Sequence, residues 1–263
     1  MAIDAARRRE SVSIRRLPAA LGVVAVGLQI AYPLADRSAR HGLSVAIVGV
    51  FAAAMTSHAA LTIGARRAGV VLASTTGLGF AVEVLGVHTG FPFGRYTYST
   101  TLGWTFAGVP VIIAFAWTML AWPAALAARR LVDSFGARVL VGAWALASWD
   151  LFLDPQMVAA GHWTWTSATP HLPGVDTVPI SNYLGWLGVA VLMSLLLQSV
   201  LDGQRTVADG VPVSLYLWTY ASSVLALGAF LGLPAAAAWG GVGMGLVAVP
   251  LALATAGSIV RTR

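Results

Sequence analysis

Apolar residues run almost unbroken through this chain, interrupted at intervals by arginines, single carboxylates and clusters of Gly, Pro, Ser and Thr. Cutting at those interruptions leaves Leu17–Leu34, Leu43–Ile63, Ala68–Val87, Gly108–Ala128, Ala137–Leu153, Tyr183–Leu201, Pro212–Leu233 and Gly240–Val260. Each stretch holds roughly 17–22 residues, and about 20 carry an α-helix across a bilayer. The pattern predicts an all-α polytopic membrane helix bundle with about eight transmembrane helices, in one integral membrane domain over residues 1–263. A seven-span count is open only if one run is re-entrant. The first run lies behind Arg7, Arg8, Arg9, Arg15 and Arg16 and outlasts the apolar core of a secretory signal, so it reads as a span.

Composition sharpens the class. Charged residues are 10% of the 263, against roughly 25% in a soluble domain, and the mean hydropathy is +0.79. The absence of cysteine excludes disulfides, Cys-zinc sites, iron–sulfur clusters and thiol catalysis. All 16 basic residues are arginine, which excludes a retinal Schiff base. Thirteen of them fall on the side of the termini and three (Arg37, Arg40 and Arg95) on the other. The bias predicts a multi-pass cell-membrane protein with cytoplasmic N- and C-termini, residues 1–16 forming a basic cytoplasmic segment. The high pI reflects arginines that flank spans, not a nucleic-acid surface.

Two outer connections stand apart, residues 88–107 and 154–182, both rich in Trp, Tyr, Phe, His, Gly and Pro. They resemble each other. Gly94-Arg95-Tyr96-Thr97-Tyr98 matches Gly161-His162-Trp163-Thr164-Trp165, and a carboxylate lies 11 residues before each glycine, Glu83 and Asp150. Val109-Pro110 and Val178-Pro179 then introduce the next span of each unit. The spacing predicts a parallel internal repeat of helices 3–4 and 5–6, with Glu83 and Asp150 facing one cavity. The plainer reading is two interfacial aromatic loops of similar composition.

Glu83 and Asp150 are the acidic residues well inside the spans, and Asp154 sits at the exit of the fifth. An ionisable residue in a span costs at least about 2.5–3.5 kcal/mol, so it reads as functional by default. Asp150 and Asp154 lie about 40° apart on a helical wheel, on one face, and Pro155 predicts a helix end near Asp154. Two carboxyls so close in a poorly hydrated site do not both ionise easily, which equips them for acid/base chemistry. The competing reading has them capping backbone groups or pairing with Arg95.

Among the five histidines, His41 and His58 lie near span ends, and His88, His162 and His171 in outer loops. No histidine boxes occur, which argues against a di-iron desaturase; a mononuclear metal site from His88, His162 and a carboxylate stays open. Asn182 and Tyr183 could reach the same cavity, though Asn182 reads equally as a helix N-cap. The Gly240–Gly245 run reads as small-residue helix packing.

The blocks EVLGVHTGFPFGRYTY (83–98), WDLFLDPQMVAAGHWTW (149–165) and VPISNYLGW (178–186) resemble the integral-membrane carotenoid hydratase family, which includes bisanhydrobacterioruberin hydratase and the carotenoid 1,2-hydratases. The likeness covers about residues 70–200. It implies addition of water to the terminal isopropylidene double bond of an acyclic carotenoid, giving a tertiary alcohol with no redox cofactor; the lack of redox motifs adds the expectation that no metal is needed. Carotenoid and membrane lipid are the implied partners, with other carotenoid biosynthesis enzymes as further candidates. The residues suit that chemistry: Asp150 as proton donor, Glu83 on the water, Asp154 tuning Asp150, and Tyr96, Tyr98, Trp163 and Trp165 facing the cation. Arg95, Asn182 and Tyr183 complete the expected substrate site. Two alternatives stay open. An intramembrane prenyltransferase would use the aspartates for a magnesium diphosphate, but would need cytoplasmic Asp clusters. A transporter or carotenoid-binding protein would be expected to break a span at mid-depth, and none is expected broken here.

Overall fold

The computed structural model describes residues 2–203 and 209–261, with side chains from 16 to 257 outside that gap. Of the arginines counted above, Arg205 and Arg263 lie outside the described residues, and the side chains of Arg7, Arg8, Arg9, Arg15 and Arg261 outside the described side chains. Nine α-helices follow one another among these residues: α1 Ala2–Leu34, α2 Arg37–Ile63, α3 Ala65–Thr89, α4 Val111–Leu131, α5 Phe135–Ala147, α6 Asp150–Ala160, α7 Ile180–Leu201, α8 Gly210–Leu225 and α9 Pro234–Arg261. They make eight segments long and apolar enough to cross a membrane, because α5 and α6 together form one, Phe135–Ala160. The all-α polytopic bundle is the fold of this chain.

Two spans depart from the expectation of unbroken helices. The fifth is interrupted at Ser148 and Trp149, near its middle, and then runs on to Ala160. Asp154 and Pro155 therefore lie inside α6, and the predicted end at Asp154 is corrected. Pro155 lacks the N–H that would bond the Leu151 carbonyl, and the interruption at Ser148–Trp149 lies nearly two turns upstream. The seventh span closes in a π-helical turn, Ala226–Phe230.

α4 is the axis of the bundle. Its side chains are buried almost without a gap from Ala116 to Ala128, as an apolar helix packed on every face must be. α9 meets α6 through glycine: a Cβ on Gly240 would strike the Phe152 ring, and one on Gly243 would strike Leu151. The small-residue reading of the Gly240–Gly245 run is thus the packing found here.

Outside the helices, the connections form short strands that the sequence pattern did not announce. β1 Tyr96–Tyr98 pairs antiparallel with β4 Trp163–Trp165. β2 Thr105–Phe106 and β3 Val109–Pro110 make a hairpin whose turn residues, Ala107 and Gly108, both take positive φ, as a two-residue primed turn requires. β5 His171–Leu172 pairs with β6 Val175–Pro179.

The α6–α9 contact yields a stability prediction. Gly240→Val forces Phe152 out of its site and should lower stability by about 1–3 kcal/mol, the usual scale of overpacking. Gly257→Ala meets nothing within 4 Å and should be neutral. Thermal unfolding of the two variants in detergent, compared side by side, checks this.

Candidate active site

Glu83 sits on the single buried stripe of α3, which reads Ala68, Val71, Thr75, Gly79, Glu83 and Gly86 at three- and four-residue spacing. The two glycines one turn either side of the acid make room for its partners. Gly79 lies against Trp117, and Gly86 against Phe93 and Tyr96. Three donors converge on the carboxylate: the Tyr96 hydroxyl to Oε2 at 2.6 Å, the Tyr98 hydroxyl to Oε2 at 2.8 Å, and Trp117 Nε1 to Oε1 at 3.3 Å. Burial, and then the Glu83 charge, push both phenols well above their ordinary range, so they stay protonated donors.

The second acid group is a pair. Asp150 and Asp154, one turn apart on α6, both accept from the amide of Asn182, at 2.7 Å to Asp150 Oδ2 and in a short bond to Asp154 Oδ2. Trp163 Nε1 donates to Asp154 Oδ1 at 3.0 Å. All three are buried, and Asp150 Oδ1 has no partner. Asn182 is therefore the clasp of the aspartate pair; the N-cap of α7 is Pro179.

A two-fold relation joins the two groups. Gly94 and Gly161, matched in the repeat, take φ of 88° and 81° and open the two strands. Thr97 and Thr164, also matched, face each other at the centre of the β1–β4 pair. The bonds flanking the strands are mates too: Ser99 N to His162 O and Thr166 N to Arg95 O, each 2.8 Å. At the floor, Trp117 and Trp186 stack with centroids 4.0 Å apart and 18° between planes. Each stands seven residues after its Val-Pro. Continuing the repeat by those seven residues would have found both tryptophans in the sequence.

Glu83 and Asp154 line one cavity of about 140 Å³, walled by Tyr96, Tyr98, Trp163 and Trp165 with Asn182, Trp117, Trp149 and Trp186. An apolar cavity of roughly 150 Å³ holds a benzene ring, so this one suits a branched five-carbon end. Its lining comes from the parts of the helices nearest the aromatic loops, including residues 29–33 of α1, 112–119 of α4 and 219–226 in the seventh span. The contribution of the first and seventh spans was not foreseen; Gln29, a lone amide in an apolar run, was the available signal.

Other expected members fall elsewhere. Asp150 is fully buried but lies behind Asp154, off the cavity lining. Arg95 is exposed and neither lines the cavity nor pairs with the aspartates. Tyr183 is half-buried outside the lining, its phenol oxygen buried without a hydrogen-bond partner. His88 is exposed on α3, and among the described residues no three His, Asp or Glu side chains come together as metal ligands, so the metal set left open in the sequence is not formed. His162 is buried in the loop, with Thr101 Oγ1 2.8 Å from Nδ1 and Ser44 Oγ 3.4 Å from Nε2. Burial, with His41 beside it, pulls its imidazole down to about 4. It is a neutral fastening of the loop.

Comparison with known proteins now decides the family. A family model described as "Carotenoid biosynthesis protein" matches residues 42–251. The chain belongs to the carotenoid biosynthesis protein family. It is 36% identical over 140 residues to a bisanhydrobacterioruberin hydratase of Haloarcula japonica, an alignment covering 49% of this chain and 45% of that relative. The chain thus spans less than half the length of the curated relative it matches. No solved structure matches it. Within the family match lie Glu83, Asp150, Asp154, Asn182 and both aromatic strands; the α1 side of the cavity lies before it.

The strand pairing of this family member can be tested directly, because the chain has no cysteine of its own. Opposed residues in a hydrogen-bonded antiparallel pair have Cα atoms about 5.5 Å apart, inside the disulfide range of roughly 4.4–6.8 Å. The double variant Thr97→Cys, Thr164→Cys should lose both free thiols under mild oxidation, read by intact mass with and without a thiol-alkylating reagent. Thr97→Cys with Thr101→Cys is the unpaired control.

Proposed function

We propose that this protein is a cofactor-independent hydro-lyase that adds water across the terminal isopropylidene double bond of an acyclic carotenoid. The observation that carries the reading is the pair of unlike acid groups, Glu83 and the Asp150–Asp154 pair, on one aromatic-walled cavity. The name of the Haloarcula japonica relative supports the substrate class and the reaction.

The two groups divide the work. Asp150 and Asp154, clasped by one amide, hold one proton between them, as like charges so close require. Asp154 faces the cavity and delivers that proton to the less substituted alkene carbon; the π bond supplies the electron pair, leaving a tertiary cation. The faces of Trp117, Trp163 and Trp186 stabilise the cation. Water adds to the cationic carbon and gives its proton to Glu83, which Tyr96 and Tyr98 hold in place. The proton on Glu83 then returns to the aspartate pair through the next water, closing the cycle. This exchanges the roles first read for Asp150 and Asp154, because only Asp154 reaches the cavity. The arginine bias supports cytoplasmic termini in the cell membrane, with the cavity near the opposite face. The mid-span interruption at Ser148–Trp149 supports a second reading, a carotenoid-binding protein that returns its pigment unchanged.

Expression in a lycopene-producing host, with mass analysis of the pigments, separates them. Gain of one or two waters, with the oxygen arriving from labelled water, supports hydration; unchanged pigment supports binding; five-carbon additions support prenyl transfer. Asp154→Asn should lower hydration by about 100-fold or more, the scale of a lost general acid. Glu83→Gln should be similarly impaired, while Asp150→Asn should retain measurable turnover. In intact cells, Thr164→Cys should react with a membrane-impermeant thiol reagent; protection there, with reaction after lysis, would reverse the assigned orientation.

A further inference from the structure

A second cavity, of about 280 Å³, lies beside the first at the same end of the bundle. Tyr32, Arg37, Arg40, Gln156, Ala159, Ala160, Leu231 and Leu233 line it, and Tyr32 and Gln156 line both cavities. Arg37 and Arg40 are held by helix-end carbonyls: Arg37 donates to Ala159 O at 3.0 Å, and Arg40 to Ala35 O and Pro33 O at 3.0 and 3.2 Å. The Arg40 guanidinium also stands over the Tyr32 ring, 5.8 Å from its centroid. Among the described residues, neither the Tyr32 hydroxyl nor the Gln156 amide bonds to protein, so the partition between a polar and an apolar cavity carries unused donors and acceptors. A site that is polar, roomy and supplied with two or more free partners is one that water occupies.

The partition also leads toward the chemistry. Tyr32 is packed in one buried cluster with Leu102, Met157 and Trp163, and Trp163 is the residue whose indole holds Asp154. Hydration brings two reactants of opposite character to one apolar site. A polyene filling the first cavity would seal it against water arriving by the same route.

We propose that the Arg37–Arg40 cavity is the water inlet of the hydratase, and that Tyr32 and Gln156 pass water from it to the catalytic cavity separately from the polyene. This rests on the hydration reading. Its ligand is water itself, and its role is supply rather than catalysis.

The absence of cysteine makes a reversible plug possible. Ala160→Cys, and independently Leu233→Cys just before α9, are reconstituted in vesicles with lycopene or bisanhydrobacterioruberin. Each is assayed before and after sulfonatoethyl methanethiosulfonate, and again after a thiol reductant. Expected is a severalfold loss of hydration on modification, recovery on reduction, and no change in polyene binding read by quenching of tryptophan fluorescence. The wild-type chain, having no thiol, should be indifferent to the reagent. Hydration at the unmodified rate with the plug in place overturns the inlet. So does a loss of polyene binding in step with hydration, which would make the cavity part of the polyene site. Labelling slowed by inorganic phosphate, with hydration untouched by the adduct, would assign the cavity to an anion and overturn the inlet as well. If the wild-type chain forms no alcohol at all, the hydration reading fails and the inlet falls with it.

Discussion

A carboxyl group inside an apolar helix bundle is tolerated only where fixed donors replace the water it has lost, and among the described residues three are buried, Glu83, Asp150 and Asp154. Most of the replacement donors come from outside the spans. Tyr96 and Tyr98 are on β1, Trp163 is on β4, and only Asn182 and Trp117 belong to helices. The two strands can reach back into the bundle because they pair with each other, which fixes both at one height above it. The glycines that end α3 and α6 in left-handed conformation turn the chain toward that pairing. Removing the strand pair would take both hydroxyls from Glu83 and the indole from Asp154. The loops are therefore as structural as the helices.

The spans were legible because hydropathy states directly what a bilayer demands, and seven of the eight C-terminal ends follow from it to within three residues, whereas α2 and α9 begin six residues before their apolar runs. The fifth end did not, since Asp150, Asp154 and Pro155 look like the end of an apolar run. Only the tertiary partners, Asn182 and Trp163, let α6 continue through them to Ala160. The repeat was legible as pattern, yet three-residue strands carry no periodicity, so their pairing was not. Which aspartate meets the cavity was also out of reach. Asp150 and Asp154 share a face within about 40°, and the choice depends on the interruption at Ser148–Trp149. Tyr32 and Gln29 reach the site because α1 closes beside α8 and α2, a tertiary contact whose local trace is the lone Gln29 amide.

The two halves match across the strand pair and at the helix starts after Val-Pro, and differ in acid chemistry. Glu83 is alone and is held by hydroxyls and an indole, whereas its mate Asp150 has acquired Asp154 and the Asn182 clasp. The position of the repeat that corresponds to Asn182 is Ile113, also on the cavity wall. One symmetric scaffold thus presents two unlike faces to whatever lies between them. A general acid and a general base need that inequality.

Below the stacked tryptophans the bundle is solid: Leu120, Trp122 and the alanines of α4 down to Ala128 are buried, and none lines the cavity. The chamber is therefore closed on that side. A rod-shaped polyene longer than the chamber can offer it one tip, and cannot thread through to bring the other tip to a second station. On the hydration reading, a molecule with two reactive tips has to be released, reversed and bound again. The singly converted pigment then becomes a free species in the lipid, where any other enzyme can compete for it before the second visit.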